Sequence, residues 1–398
     1  MQAVTQLIER SREYQLPLVL VFVDYKKAFD SVEHGAVIRA LMDANINPGY
    51  VAAIQDCYTG ANTTIRMFER DLKIPVNRGV RQGDSISPKL FTTALQYAVK
   101  DLPWEGYGIP VDGKNLTNLR FADDIVLCAK FTQEAETMLN DLNKASKRIG
   151  LELNMKKTQY MRNKWCPPGS VRLDNTTIDE VQSYTYLGRA ITTEGDLREE
   201  IGRRRRAAWT ALGNIKETTK MLTRHRKIRA HLFDSTVLPA LCYGTETWAA
   251  TKEIERAIQT THRALERNLL GFSKMAQLDQ GIRSADMRNR SGLRDPLEVM
   301  TRRKLRWAGH VERRTDDRWT IRVTEWRPRD KKRPLGRPAT RWSDAVKEIV
   351  RNQHTPEPHP QPTQRLRPRR QQPRHIQWMT LARDRDQWKR VWSAHIRE

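Results

Sequence analysis

The chain has few cysteines and no long apolar run. Four cysteines (Cys57, Cys128, Cys166 and Cys242) occur among 398 residues, and no two of them lie within four positions of each other. Paired zinc-ribbon or zinc-knuckle ligands are therefore excluded, and we expect a reduced chain in the nucleus or cytoplasm. No apolar run reaches the length of a membrane span, and the charged first 15 residues do not resemble a signal peptide.

Acidic residues are scarce in the second half of the chain. Residues 1–200 hold 25 basic and 26 acidic residues, whereas residues 201–398 hold 46 basic and 21 acidic residues. This asymmetry predicts a polyanionic partner, nucleic acid first and an anionic membrane second. The alternative is a solvated basic surface that keeps the chain soluble. Aromatic residues interleaved with basic ones throughout 300–345 favour nucleic acid.

Three acids lie in apolar surroundings. Asp123 and Asp124 interrupt LRFADDIVLCAK, which we predict to be a buried strand, and Asp24 ends the apolar strand in LVLVFVDYKKAFDSV. Buried carboxylates are costly unless a cation accompanies them, and oxygen ligands suit Mg²⁺, or alternatively Mn²⁺. The alternative is that Asp24 caps a helix and that Asp123 and Asp124 form a turn.

The periodicity of residues 1–190 alternates between strands and helices. The predicted order β-α-α-ββ-α-ββ-α-β indicates an α+β fold, with an antiparallel sheet and helices on one face. Ser87 is predicted to cap the helix that starts at Pro88. Residues from about 196 to 310 are mostly helical and basic. A stretch rich in Pro, Gln, His and Arg at 352–376 predicts a disordered linker.

Five sequence strings occur in the order of known polymerase motifs. FVDYKKAFDSV, GVRQGDSISPKLF, RFADDIVL, GLELNMKKTQ and YTYLG resemble palm motifs A to E of reverse transcriptases. The nearest resemblance is to the endonuclease–reverse transcriptase polyproteins of non-LTR retrotransposons. ALCYGTETWAAT, KLRWAGHVERR and GRPATRWSDAV also resemble the region downstream of the polymerase in those elements. The resemblance covers residues 1 to about 350.

The resemblance implies a division of the chain. We expect a polymerase palm at 1–190, a helical thumb at 191–275, a basic Trp/Arg-rich region at 276–350, a linker at 351–376 and a C-terminal helix at 377–398. Only 23 residues precede Asp24, so we expect the fingers to be largely missing, the chain to be N-terminally truncated and its isolated activity to be weak.

The resemblance also implies the catalytic residues. Asp24, Asp123 and Asp124 would bind Mg²⁺ (or Mn²⁺), and Lys157 would protonate the departing pyrophosphate as a general acid. A plain surface lysine is the alternative for Lys157.

The expected nucleotide-binding residues are Tyr25, Phe29, Arg81, Gln82 and Gly83. Phe29 would select deoxynucleotides, Gln82 and Gly83 would lie beneath the nucleotide, and Arg81 would meet phosphate. The alternatives are a core phenylalanine and an ordinary glycine turn.

By the same resemblance, Tyr186, Leu187 and Gly188 would form the primer grip, whose tight turn presses the primer end toward the acids; a tyrosine-rich strand end is the alternative. The thumb would hold the duplex by its phosphates. Trp307, Trp326 and Trp342 would either stack on bases or pack a small core.

The predicted function is that of an RNA-directed DNA polymerase. Its partners would be an RNA template, a DNA primer and dNTPs, with no membrane. One alternative is a catalytically dead, nucleic-acid-binding remnant of a retrotransposon. A weaker alternative is an intron maturase, which shares the palm but not the strings after residue 300.

Overall fold

The computed structural model describes residues 1–68, 70–329, 331–336, 339–353 and 378–393. The chain forms two compact units: a sheet unit (Tyr14–Leu187 with Arg327–Arg333) and a helical unit (Met1–Glu13, Gly188–Trp326 and Pro334–Glu398). Helix α1 (Gln2–Tyr14) begins the chain. In the part of the chain that the structure describes, no helix combines the length and apolarity needed to cross a membrane.

The sheet unit alternates strands and helices, as the sequence pattern predicts. Its strands are β1 (Val19–Val23), β2 (Asn62–Met67), β3 (Arg70–Pro75), β4 (Ile109–Val111), β5 (Lys114–Leu116), β6 (Asn118–Phe121), β7 (Asp124–Ala129), β8 (Gln159–Arg162), β9 (Arg172–Leu173), β10 (Thr176–Thr177), β11 (Asp179–Glu180) and β12 (Ser183–Tyr186). Its helices are α2 (Ala28–Ser31), α3 (His34–Asp43), α4 (Pro48–Tyr58), α5 (Ser87–Val99) and α6 (Thr132–Lys147).

Five of these strands form a central sheet in the order β11-β8-β1-β7-β6. Strand β1 lies in the middle and pairs antiparallel with both β7 and β8. All five residues of β1 are buried, and Val19, Val21 and Val23 belong to one apolar cluster with residues of α3, α5 and α6. This alternation places helices against one face of the sheet. The predicted α+β class is confirmed.

Two local predictions in the sheet unit are wrong. The segment around Asp123 is not one buried strand but a tight hairpin, in which β6 turns through Ala122 and Asp123 into β7. Of the two strands, only β7 after Asp124 is fully buried, and β6 is partly exposed. The buried apolar run in the sequence therefore corresponds to β7 alone. Ser87 is the first residue of α5 and caps nothing; its hydroxyl oxygen is buried without a hydrogen-bond partner.

The helical unit contains, after the short strand β13 (Arg189–Thr192), helices and one short 3₁₀ segment (Thr245–Thr247). The helices are α7 (Arg198–Met221), α8 (Arg226–Leu241), α9 (Lys252–Leu270), α10 (Lys274–Asp279), α11 (Ser284–Ser291), α12 (Pro296–Glu312), α13 (Trp319–Glu325), α14 (Trp342–Gln353), α15 (Trp378–Arg383) and α16 (Arg385–Ser393).

Two apolar clusters hold the helical unit together. The first joins α7, α8 and α9 around Phe233 and Trp248. The second joins α12, α14, α15 and α16 around Trp342, Trp378 and Trp388. The expected single C-terminal helix is thus a pair, α15 and α16. Most of the expected linker at 351–376 lies outside the described residues, since only its first three residues belong to α14.

Candidate active site

Asp24 stands directly after the buried strand β1, where its backbone is held on both sides. Its N–H donates to the hydroxyl of Thr158 (3.3 Å), and its carbonyl accepts from the N–H of Asn154 (2.7 Å). Thr158 is fully buried. The turn at 154–158 therefore fixes the position of Asp24. The sequence prediction missed Thr158, although it follows the lysine of the string that resembles motif D.

Asp123 and Asp124 lie at the turn of the β6–β7 hairpin, beside β1. Ala122 adopts a positive φ of 53°, which tightens the turn, and Phe121 pairs with Asp124. Val23 of β1 pairs with Ile125 of β7, so the next step of the same register brings Asp24 opposite Asp124. The structure thus brings Asp24 to two acids that lie 99 and 100 positions later in the chain.

The three carboxylates repel one another in a partly desolvated place. Burial, and then the charges of Asp123 and Asp24, raise the pKa of Asp124. One carboxylate oxygen of Asp24 (Oδ2) is buried and has no hydrogen-bond partner. The nearest cation to it is Lys157, whose Nζ lies 3.8 Å away on a side chain that is 69% exposed. A cation that joined these acids would relieve both the repulsion and the orphaned oxygen.

The donor set suits a hard divalent cation. Within the described residues, no three His, Cys, Asp or Glu side chains are already arranged closely enough to hold an ion. The acids are all-oxygen ligands, as Mg²⁺ and Mn²⁺ prefer, and in the described part of the chain Oδ2 of Asp24 has no hydrogen bond that such an ion would have to break. Reverse transcriptases normally use divalent metal ions.

Phe29, five residues after Asp24, contacts the glycine loop at 79–83. Phe29, in α2, is half-buried and stacks on Phe91 of α5 at a centroid distance of 4.5 Å. Its carbonyl accepts from Val80 N–H, and the Gln82 amide donates to Asp30 (2.9 Å). Phe29 therefore packs against the core with one part of its ring and leaves another part exposed.

Gly79 and Gly83 of this loop have different reasons to be glycine. Both have a positive φ of about 90°. A Cβ on Gly79 would overlap the backbone of Asp30, whereas a Cβ on Gly83 would meet nothing within 4 Å. Gly79 thus seats the loop on α2. At Gly83 the space in front of the loop is open, so a ligand could approach the backbone closely there.

Two predicted nucleotide-binding side chains are engaged elsewhere. Tyr25 is only 5% exposed and its hydroxyl bonds to that of Ser146 (2.7 Å), and burial raises its pKa to about 12. Its ring is closed to a nucleotide in this structure and supports the site from the core. Arg81 is exposed, and its guanidinium donates to the carbonyl of Cys57 (3.4 Å).

The tyrosine-rich strand β12 lies against β1. Tyr184 stacks on Phe22 at 4.2 Å, and Tyr186 lies tilted at 5.9 Å from the same ring. Burial, and then the charges of Asp24 and Asp124, raise the pKa of Tyr184; burial and then Asp124 raise that of Tyr186. Both hydroxyls therefore stay protonated beside the acids. The sequence prediction named Tyr186 and missed Tyr184, which belongs to the same YTYLG string.

The turn after Tyr186 has the tight geometry that the string suggested. Leu187 and Gly188 both have positive φ, 49° and 74°, which is the backbone of a two-residue hairpin turn.

The three tryptophans left open by the sequence have different surroundings. Trp326 and Trp342 are 4% and 0% exposed, so they pack the core. Trp307 is half-buried and lines a cleft of the helical unit.

Comparison with known proteins gives one family. Residues 3–191 match the family described as reverse transcriptase (RNA-dependent DNA polymerase). A putative uncharacterized transposon-derived protein of Caenorhabditis elegans is 43% identical over 286 residues, which are 71% of this chain and 96% of that protein.

More distant relatives are retrotransposon polyproteins. The Pol polyprotein of the type-1 retrotransposable element R2 of Popillia japonica is 28% identical over 64% of this chain and 37% of its own length. That of element R2DM of Drosophila melanogaster is 30% identical over 46% and 17%. The chain thus spans 37% and 17% of the lengths of these two polyproteins.

Among solved structures, telomerase from Candida albicans, in complex with a fragment of telomeric RNA, covers 70% of this chain and 54% of its own. Its identity is 12% and its TM-score 0.39.

Proposed function

Since this chain belongs to the reverse transcriptase family, among the non-LTR retrotransposon polymerases, we propose that its three clustered acids form the catalytic centre for RNA-directed DNA synthesis. The observation that supports this proposal is the register of β1 and β7, which brings Asp24 beside Asp124 at the end of a buried sheet. A cluster of repelling carboxylates is costly in a scaffold and useful around cations.

In this proposal Asp24, Asp123 and Asp124 hold Mg²⁺, with Mn²⁺ as the alternative. Ions bound there would lower the pKa of the primer 3′-hydroxyl and neutralise the triphosphate and the departing pyrophosphate. Thr158 and Asn154 act as positioning residues, because they hold the backbone of Asp24. Lys157, exposed beside Asp24, supplies the proton to the pyrophosphate.

The remaining assignments concern the dNTP and the primer. Phe29 presents a partly exposed ring at the place assigned to the sugar, and its stacking on Phe91 keeps that ring fixed. Gln82 and Gly83 form the floor of the nucleotide site, with open space in front of Gly83. Arg81 would exchange the carbonyl of Cys57 for phosphate.

The primer grip is assigned to Tyr186, Leu187 and Gly188. Its support is the tight turn that follows β12 and the packing of Tyr186 on Phe22, two residues before Asp24. An RNA template and a DNA primer are the nucleic acids that the family's reaction requires.

The test is incorporation of dTTP on oligo(dT)-primed poly(rA) by the purified chain, with Mg²⁺ and with EDTA. We expect Mg²⁺-dependent incorporation that the Asp123→Asn/Asp124→Asn variant loses by at least about 100-fold, as expected for loss of a metal site. The matched control is Asp112→Asn, the same change at the exposed turn between β4 and β5.

The opposite result is equally clear. A wild-type chain that binds the template–primer in a salt-sensitive way but incorporates nothing, with either Mg²⁺ or Mn²⁺, would establish the nucleic-acid-binding remnant instead.

A further inference from the structure

A cleft of about 910 Å³ lies within the helical unit, which does not contain the three acids. Helices α12 and α16 form its walls, and the segment around Tyr243 and Glu246, after α8, closes one side. Neither the family's reaction nor the sites assigned above account for this cleft.

The lining of the cleft is strongly basic. Its cations are Arg303, Arg306, Arg313, Arg385 and Lys389, against the two acids Glu246 and Asp386. The guanidinium groups of Arg303 and Arg313 donate to the carbonyls of Cys242 and Ala382, so their charges are held in place without being neutralised.

Three of these cations are exposed and have no carboxylate partner among the described residues. They are Arg306, Arg385 and Lys389. Their positive charges therefore lie along one cleft without ion-pair partners in the part of the chain that the structure describes. A ligand with several negative charges would gain favourable electrostatic energy by binding there.

Two aromatic rings face the same cleft. Trp307 of α12 is half-buried, and its indole nitrogen is buried with no hydrogen-bond acceptor in the described structure. Trp392 of α16 has the guanidinium groups of Arg302 and Arg306 at 5.3 and 5.6 Å from its ring centre. Both rings are half-buried against the second apolar cluster of this unit and also line the cleft, so they differ from Trp342, Trp378 and Trp388, which are buried within that cluster.

The walls of the cleft are firmly joined. The Trp388 indole donates to the carbonyl of Leu305 (2.7 Å), and Arg383 pairs with the buried carboxylate of Glu312 (3.0 Å). The first contact fixes α16 against α12, and the second fixes α15 against α12. The helices that carry the cations and rings are therefore already in position before a ligand arrives, which lowers the entropic cost of binding.

We propose that this cleft binds a single-stranded polynucleotide. Arg306, Arg385 and Lys389 contact its phosphates, and Trp307 and Trp392 stack on its bases. Cations that follow the backbone and aromatic faces for the bases are the combination that single strands require. This site is separate from the proposed catalytic centre and does not depend on its activity.

The test is fluorescence anisotropy with the full chain and labelled oligonucleotides of about 16 nucleotides, enough to fill one such site. We compare Arg306→Ala/Arg385→Ala/Lys389→Ala with Lys274→Ala/Lys347→Ala/Arg351→Ala. The control triple removes the same charge from exposed helix positions of the same unit outside the cleft.

We expect the cleft triple to weaken single-strand binding by at least about tenfold more than the control triple and to lower the salt slope by about 2, the value for three phosphates. Trp392→Leu should weaken binding at least about fivefold, and Trp392→Phe should largely restore it, because phenylalanine also stacks.

Oligo(dT) and oligo(U) are tested separately. Tighter binding of one of them identifies the strand as DNA or RNA, and equal binding shows that the cleft accepts both; each of these outcomes agrees with the proposal. Equal effects of the two triples would overturn it. So would competition by an acidic peptide of equal charge as strong as that by the oligonucleotide, or an equal loss of duplex binding.

The dTTP incorporation assay distinguishes this proposal from the catalytic one. At saturating template–primer, the cleft triple should retain wild-type incorporation, because its three cations lie outside the catalytic centre. Loss of strand binding with incorporation retained supports the cleft site alone, and loss of incorporation by the cleft triple would overturn the separation of the two sites.

Discussion

At the scale of residues, the site is defined by three acids that the fold brings together from two strands, where burial and the charges of the other two acids raise the pKa of Asp124. Asp24 ends a buried strand, and Asp124 begins the strand beside it. The backbone of Asp24 is held by Thr158 and Asn154, and among the described residues its carboxylate oxygen Oδ2 is buried with no hydrogen bond and only the exposed Lys157 as an ion-pair partner. A partly buried group of carboxylates with so little compensation is the kind of arrangement that favours a functional site over a scaffold.

Asp124→Asn should stabilise the metal-free protein at neutral pH. Burial and the charges of Asp123 and Asp24 raise the folded-state pKa of Asp124, so ionisation destabilises the folded state once the pH exceeds the unfolded-state pKa. Removing that charge should add about 0.5 kcal/mol to the free energy of unfolding at pH 7, a value discounted for solvent screening. Urea unfolding with EDTA measures it.

The same measurement has two internal checks. Near pH 3 the gain should shrink toward zero, because the proton is then largely bound in both the folded and the unfolded state. Asp56→Asn, at an exposed position of α4, should change nothing. A less stable Asp124→Asn variant at pH 7 would contradict the account of the acid cluster.

At the scale of elements, the helical unit depends on close approach between α12 and α16. Gly309 of α12 faces Trp388, which is 1% exposed, and a Cβ added to Gly309 would overlap its indole ring. Glycine is required here by space and not by backbone angle, since Gly309 lies within a helix.

Gly309→Ala should therefore destabilise the protein by about 1–3 kcal/mol, the usual cost of overpacking a core. The control is Gly213→Ala in α7, where an added Cβ would meet nothing within 4 Å. That change should raise stability by about 0.5–1 kcal/mol through helix propensity. Urea unfolding of both variants gives the comparison, and a stabilising Gly309→Ala would show that α16 does not pack on α12 as described.

At the scale of the whole molecule, the excess positive charge lies in residues 201–398, which carry 46 basic against 21 acidic residues. The structure separates structural from available cations within this excess. In the run 203–206, Arg204 is buried, pairs with Glu200 at 2.9 Å and lies over the ring of Tyr243, whereas Arg205 and Arg206 are exposed.

Binding of a template–primer duplex should accordingly weaken at least about 100-fold between about 50 and 200 mM salt, because bound phosphates release counterions. Arg205→Gln/Arg206→Gln should lower the slope of log K against log salt by up to about 1.8. Anisotropy titrations at several KCl concentrations measure both. The control is Lys220→Gln, since Lys220 already pairs with Glu217 at 3.0 Å; a flat salt dependence would contradict the electrostatic account.

The sequence by itself determined the class of fold and the family, and it pointed to the three acids as the candidate site. Each depends on local information: alternation of apolar residues sets strands and helices, and short motifs carry the chemistry. The turn between β4 and β5 is an example, because Asp112-Gly113 is a residue pair that favours a two-residue hairpin turn.

Only the tertiary structure decided which side chains are buried and which meet. The turn at Ala122 and Asp123 was hidden because β7, buried on both faces, dominates the apolar pattern. Contacts between distant segments place Tyr25 in the core and let Thr158 support Asp24. They also bury Trp326 and Trp342 while leaving Trp307 partly exposed. Such contacts are set by packing, and residue type along the chain does not encode them locally.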